Sequence, residues 1–214
     1  MSPRPYQMTQ RKAAADKTRQ RILAAARKLL LSEDFSEFTM EAVARAADVS
    51  RLTVYYQFDS KAGLLEALYN YIARGGGMEG LAEVFQRGND PLQTLHEFIV
   101  VFAGFWASDR NVIRRLHALG VIDTEIGKGL RERNERRRKG LSFIVDRYSR
   151  SYRQLTAIEG PIAIDTLHML TSFETYDAIA GSSRRQEEVV EIIYKMAQRA
   201  LGFMPRGIPR FDQN

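Results

Sequence analysis

Between Thr39 and Lys61 the chain concentrates side chains that donate or accept hydrogen bonds: Thr39, Ser50, Arg51, Thr53, Tyr55, Tyr56, Gln57 and Lys61, with the apolar Leu52 among them. None of them stands in an arrangement suited to making or breaking covalent bonds. The chain has no cysteine, which excludes a disulfide framework, a thiolate zinc site and a cysteine nucleophile together. His96, His117 and His168 lack metal-ligand spacing, and no serine elbow, paired-carboxylate motif or HExxH string occurs. No cofactor is expected. What hydroxyls, phenols, an amide and a guanidinium do well as a group is bind phosphate oxygens and the edges of bases.

Such groups work only if short elements aim them. Helical periodicity runs through nearly all of the 214 residues, without a stretch of strand-like alternation, so the fold class is all-α. A first helix from about Thr18 to Leu31 carries the stripe Ile22, Ala25, Ala26, Leu29 and Leu30. Thr39 can cap a short second helix with Met40, Val43, Ala44 and Ala47 inward. Ser50 can cap a third, Arg51 to Phe58, and Asp48 before it belongs to a residue type that tolerates the left-handed backbone of a tight turn. Ser60 caps a fourth, bearing Leu64, Leu65, Leu68, Tyr69 and Ile72 and stopping at Gly75-Gly76-Gly77. Two short helices joined by a tight turn and braced by a third make a helix-turn-helix, whose second helix can enter the major groove. In it Val54 and Phe58 face the core, leaving Arg51, Leu52, Thr53, Tyr55, Tyr56 and Gln57 for DNA.

Charge points the same way. The formal net charge is +6, and through residue 32 eight Lys/Arg face a single acid, Asp16. A basic end attracts polyanions, although a solvated arm has the same composition. Residues 1–17 read as a flexible basic arm able to add minor-groove contacts.

The ordered motifs identify a resemblance to the tetracycline-repressor-like (TetR) family of bacterial transcription regulators. Arg21 to Ala26 resembles the family's first helix, with Phe35 where an aromatic follows it. Thr39 to Ala44 resembles the second helix, Ala46 to Ser50 the turn, Thr53 to Phe58 the recognition helix, and Ser60-Lys61 through Leu64 the start of the fourth. The match spans Thr18 to Leu64. Three positions depart from it: Asp48 and Leu52 stand where the family commonly has glycine, and Gln57 where it has histidine or tyrosine. Resemblance and chemistry together imply phosphate contacts by Thr39, Thr53, Tyr55, Gln57 and Lys61, with Ser50 as cap. Arg51, Leu52 and Tyr56 are left for base readout, Arg51 forking onto guanine and Leu52 against a thymine methyl.

The remainder reads as a helical ligand-binding and dimerisation domain. The boundaries are 18–64 for the DNA-binding domain, 65–204 for the second and 205–214 for a tail, with about nine helices in all. Glycine at 75 to 80 formally satisfies GxGxxG but follows a helix, not a strand, so a hinge or interdomain loop is the better use. The run RERNERRRK from Arg131 pairs Glu132 with Arg136 and Glu135 with Lys139, as a solvated helix does. A helix from Pro161 to about Ala180 and another from Arg185 to about Leu201 carry more apolar surface than one protomer uses. Leu167, Leu170, Val189, Ile192, Ile193, Met196 and Ala200 are therefore expected at a two-fold dimer interface, a dimer the resemblance also implies. Phe102, Trp106, His117, Phe173 and Tyr176 are expected to touch a small, lipophilic ligand, and Glu174 and Asp177 would favour a cation if they faced it.

The longest apolar run, Phe98 to Ala107, falls short of the ~20 residues that cross a bilayer, and the charged start has no apolar stretch behind it, so a cytoplasmic location is expected. The function expected is a repressor that binds a palindromic operator as a dimer and is released by a small molecule. An activator or chromosome-organising protein on the same scaffold is the alternative, and a helical enzyme a distant third.

Overall fold

The computed structural model describes residues 4–32, 38–88 and 90–202, with side chains from residue 12 onward. Among them are eleven α-helices and no strand. In chain order they are α1 (Arg4–Leu30), α2 (Met40–Ala46), α3 (Arg51–Phe58), α4 (Lys61–Gly75), α5 (Leu81–Gln86), α6 (Pro91–Ser108), α7 (Arg110–Ile122), α8 (Thr124–Ser151), α9 (Glu159–Leu170), α10 (Phe173–Ala180) and α11 (Gln186–Ala200), with a 3-10 turn at Met78–Gly80 before α5. No helix among the described residues is long and apolar enough to cross a membrane. Phe35 and the tail after Gly202, with Pro205 and Pro209, lie outside the described residues.

The chain forms two compact units. The first comprises residues through Ile72 together with Asn111–Leu130; the second comprises Ala73–Arg110 and the chain from Arg131 on. The boundary expected after Leu64 moves to Ile72, because the buried stripe of α4 continues through Leu65, Leu68, Tyr69 and Ile72. In the first unit α1 packs on α2 and α2 on α3. Ile22, Leu23, Ala26 and Leu30 of α1 are buried, as are Met40, Val43, Ala44, Ala47, Val54 and Phe58. Each large side chain so placed contributes roughly 1.5–3 kcal/mol over leaving it in water.

The backbone expected to be a loose arm is corrected: α1 begins at Arg4, not near Thr18. Between Gln7 and Thr18 the sequence is mostly alanine, lysine, arginine, glutamine and methionine, good helix formers, and has no glycine or proline. Residues 12–17, whose polarity suggested an arm, are the exposed turns of a helix.

In the second unit α6 packs against α5, α10 and α11, and α11 also packs against α9. Phe98, Ile99, Phe102, Phe105 and Trp106 of α6 are buried. Asp90 caps that helix, accepting from the Leu92 and Gln93 amides at 3.0 and 3.2 Å, with Pro91 at its first position. The glycine cluster has a packing role: a Cβ on Gly76 would lie 2.7 Å from the Phe105 Cα, so only glycine lets this turn meet α6 so closely. The single helix expected from Pro161 to Ala180 is two. Thr171 closes α9, and Ser172 starts α10 by accepting from the Thr175 amide at 3.1 Å.

Candidate nucleic-acid interface

The helices α2, α3 and α4 each start on a side-chain cap. Thr39 Oγ1 accepts from the Ala42 amide at 3.1 Å, Ser50 Oγ from the Thr53 amide at 3.0 Å and Ser60 Oγ from the Gly63 amide at 3.0 Å. Ser50 and Thr53 also share a hydroxyl hydrogen bond of 2.8 Å. Asp48 has φ 52°, the left-handed backbone its position in the turn requires, and Asp59, which closes α3, has φ 67°. Val54 and Phe58 are buried on the inner face of α3.

The outer face is bare in a way ordinary helices avoid. Leu52 is 78% exposed and Tyr56 88% exposed, four residues apart and on one side. Arg51, Tyr55 and Thr53 flank them. The Arg51 Nε donates to Glu41 Oε1 at 2.7 Å, and its guanidinium lies 5.3 Å from the Tyr55 ring centroid, with Nη2 3.4 Å from the Tyr55 hydroxyl. The Tyr55 hydroxyl and the Glu41 charge both push the pKa of Arg51 further up. Lys61, at the first turn of α4, holds its ammonium 5.5 Å from the Phe38 ring. Among the described DNA-contact candidates, then, Arg51, Leu52, Tyr55 and Tyr56 share the exposed surface of α3, and Thr39, Ser50 and Lys61 lie at helix N-termini, where amides favour anions. Gln57 is half-buried, and its carbonyl accepts from Arg19 Nη1 at 2.9 Å.

That bond shows what sequence reasoning missed. Arg19 also stacks 4.3 Å from the Phe58 ring, and Arg21 Nη2 donates to the carbonyls of Ala47 and Asp48. Two of the cations counted as attracting DNA instead close the C-terminal ends of α2 and α3, where positive charge offsets the helix dipole. Their spacing of two on a helix bearing the stripe Ile22 to Ala26 was the available signal, since it places both beside the buried face.

In the second unit, Ile99, Phe102, Ala103, Trp106, Thr171, Tyr176 and Ile193 line a small apolar cavity of ≈ 10 Å³, room for about one water molecule. Of the expected ligand residues, Phe102, Trp106 and Tyr176 line it, and Phe173 packs on Trp106 with ring centroids 5.6 Å apart. His117 belongs to the first unit and is not among them. Asp177 is bound by Arg110, and Glu174 is exposed, so neither makes this cavity a cation site. Leu167, Leu170, Val189 and Ile193 are corrected as interface residues, because all four are buried within the protomer's own core. Ile192, Met196 and Ala200 retain exposed surface. No group of three His, Cys, Asp or Glu able to hold a metal occurs among the described residues.

Beside the cavity, buried Arg137 donates to the Thr171 carbonyl at 2.7 Å, and the Trp106 indole donates to the same oxygen at 3.1 Å. The Arg137 Nη2 and the Asn134 carbonyl lie 3.0 and 3.1 Å from His168 Nε2. Burial, then the Arg137 charge, lower the His168 pKa, with Arg138 adding to them and the Asn134 carbonyl and Glu135 opposing. A folded value below the unfolded ~6.5 means the unfolded chain takes up the proton first as pH falls. The stability this histidine supports is therefore intact above about pH 6.5 and is lost as pH drops toward the folded value. The wild-type denaturation midpoint should fall more between pH 7 and 5 than that of His168→Gln; parallel pH profiles would refute the assignment.

Two capped helices at an aspartate-bearing turn, with an apolar and aromatic face held out in solvent, have the geometry of a helix-turn-helix. Residues 22–68 match the family described as bacterial regulatory proteins, tetR family. The match lies within the DNA-reading unit and leaves the rest of the chain unmatched by that family. It is similar to the HTH-type transcriptional regulator AlkX of Mycobacterium tuberculosis, 48% identical over 48 residues, covering 22% of this chain and 23% of AlkX. It is also similar to SrpR of Pseudomonas putida, another HTH-type transcriptional regulator, 39% identical over 56 residues and 26% of each chain. The match thus spans about a quarter of the length of these curated relatives. Solved structures extend the fold across both units. NalD of Pseudomonas aeruginosa, the secondary repressor of the MexAB-OprM multidrug efflux pump, superposes with a TM-score of 0.67 at 23% identity, over 87% of this chain and 96% of its own. A TetR transcription regulator from Haloarcula marismortui gives 0.65 at 15% identity, over 88% and 98%. At such identity the likeness establishes the fold alone.

Proposed function

We propose that this protein is a repressor in the cytoplasm that binds a palindromic operator as a homodimer and leaves it when a small apolar molecule occupies the second unit. The observation that carries the reading is the outer face of α3: a leucine and a tyrosine almost wholly in water, beside an arginine and a second tyrosine, cost solvation unless a partner covers them. Thr39, Thr53, Tyr55, Gln57 and Lys61 are assigned to phosphates, with Ser50 as cap beside them, and Arg51, Leu52 and Tyr56 to bases. A dimer is supported by Ile162, Met169 and Met196, which are 59%, 57% and 42% exposed on α9 and α11. They replace the buried Leu167, Leu170, Val189 and Ile193 as candidates for the two-fold face, beside Ile192 and Ala200. The cavity beside Phe102, Trp106 and Tyr176 is where a ligand would enter, and at its present size it must open to admit one.

Release by ligand is a population shift, so operator and ligand must weaken each other by the same factor. The reading is tested by selecting duplexes from a random-sequence pool and measuring gel shifts on the enriched site. Wild type should enrich a two-fold symmetric sequence, and Tyr55→Ala should lose at least tenfold in affinity while keeping the same melting curve and dimer mass. Selection of no sequence, or unchanged affinity for Tyr55→Ala, overturns it.

A further inference from the structure

We propose that Glu41, on α2 and outside the recognition helix, is the positioning residue for sequence readout: it holds the Arg51 guanidinium so that only its end-on pair of donors is presented to a guanine. The inference rests on the DNA-reading function proposed above and adds to it the residue that sets specificity.

A guanidinium has five N–H donors on two usable edges, a side edge formed by Nε and one terminal nitrogen and an end edge formed by both terminal nitrogens. Either edge can fork onto guanine O6 and N7, and the two would put the base in different places. In this structure the side edge is committed. Its Nε donates to Glu41 Oε1 at 2.7 Å, and Nη2 lies 3.4 Å from the Tyr55 hydroxyl, with the central carbon of the group 5.3 Å from the Tyr55 ring centroid. The end edge remains, at the first position of α3, where a side chain leaves the helix toward base edges. Tyr55, accepting on one side, keeps its own proton to donate to a phosphate, so one hydrogen-bonded relay fixes both register and readout.

The position of Glu41 argues that it serves selectivity and not affinity. A carboxylate whose side chain is 47% exposed, in the first turn of a helix capped by Thr39, stands close to where phosphates would run, and there it repels them. Its presence lowers affinity for every sequence. What it returns is a guanidinium held in one orientation, and a pre-organised fork discriminates better than one free to turn.

The test compares wild type, Glu41→Gln, Arg51→Ala and the double variant on a random-sequence duplex pool, with binding to an unselected duplex measured alongside. Wild type should enrich one G·C pair per half-site that Arg51→Ala does not, with a preference of about five- to 150-fold at that pair. Glu41→Gln should reduce this preference severalfold at that pair alone, while tightening binding to unselected duplex. In the Arg51→Ala background Glu41→Gln should leave the base profile unchanged. An enriched wild-type sequence whose Arg51-dependent pair is equally preferred by Glu41→Gln overturns the proposal and spares the DNA-reading function. Failure of wild type to enrich any sequence overturns both. A reduction spread evenly over all positions also overturns it, since that is the signature of a damaged fold; circular dichroism melts of the four proteins identify such damage independently.

Discussion

Gly63→Ala is expected to destabilise the DNA-reading unit by roughly 3 kcal/mol or more and to abolish sequence-specific binding. A Cβ at this position would lie 2.1 Å from the carbonyl oxygen of Phe58 and 3.3 Å from its carbon. That oxygen cannot retreat easily. It already accepts from the Ser60 amide at 2.7 Å, and the next residue, Asp59, sits at φ 67° with its own amide on the Tyr55 carbonyl at 2.7 Å. To make room, the end of α3 would have to move off α4, carrying the exposed face of the recognition helix with it. Thermal melts and gel shifts measure both effects. Gly75→Ala is the control, because a Cβ there meets nothing within 4 Å, and its binding should match wild type. If Gly63→Ala melts and binds like wild type, the α3–α4 corner does not require glycine at this position.

The second large effect lies in the other unit. Arg110 donates through Nε to the Asp177 carboxylate, through Nη2 to the Asp177 carbonyl at 2.6 Å and through Nη1 to the Gly181 carbonyl at 2.6 Å. Both side chains of the ion pair are about three-quarters buried, and the two carbonyls lie at the C-terminal end of α10. One planar group thereby offsets a partly buried carboxylate and closes a helix end. Arg110→Ala should cost about 2–3 kcal/mol, because it withdraws a charge and three hydrogen bonds at once. Arg110→Lys keeps the charge without the fork and should recover less than half of the loss. Urea denaturation of the three proteins decides it; a lysine variant as stable as wild type would show that charge alone matters there.

The head of the molecule was legible because its signals are local. Thr39, Ser50 and Ser60 are caps, Asp48 tolerates a left-handed turn, and Val54 and Phe58 repeat at helical spacing; each acts within four residues of chain, and each is found as expected. What periodicity could not separate was inward from outward on helices apolar on more than one face. Leu167, Leu170, Val189 and Ile193 have the spacing of an interface and are core, whereas Ile162 and Met169, from the same helix, are left in solvent. The division depends on where α6 and α11 lie, and no window of α9 encodes that. The break between α9 and α10 has a local signal, since Ser172 with Thr175 repeats the pattern of Ser50 with Thr53. His117 shows a different limit: aromatic character carries no address in the fold, and this residue belongs to the other unit. The Arg51–Glu41 pair joins residues ten apart across a turn, a separation at which spacing rules are silent until the turn's shape is known.

The chain holds a single tryptophan, and it is Trp106, buried against Phe102, Phe105 and Phe173 at the edge of the cavity. Excitation selective for indole therefore lights one compact unit and leaves the other dark. A molecule lodging beside Phe102 and Tyr176 would alter that emission directly, while DNA held on α3 engages the unit that carries no tryptophan. The protein thus carries its own optical gauge of whether its two tasks communicate, with no label attached.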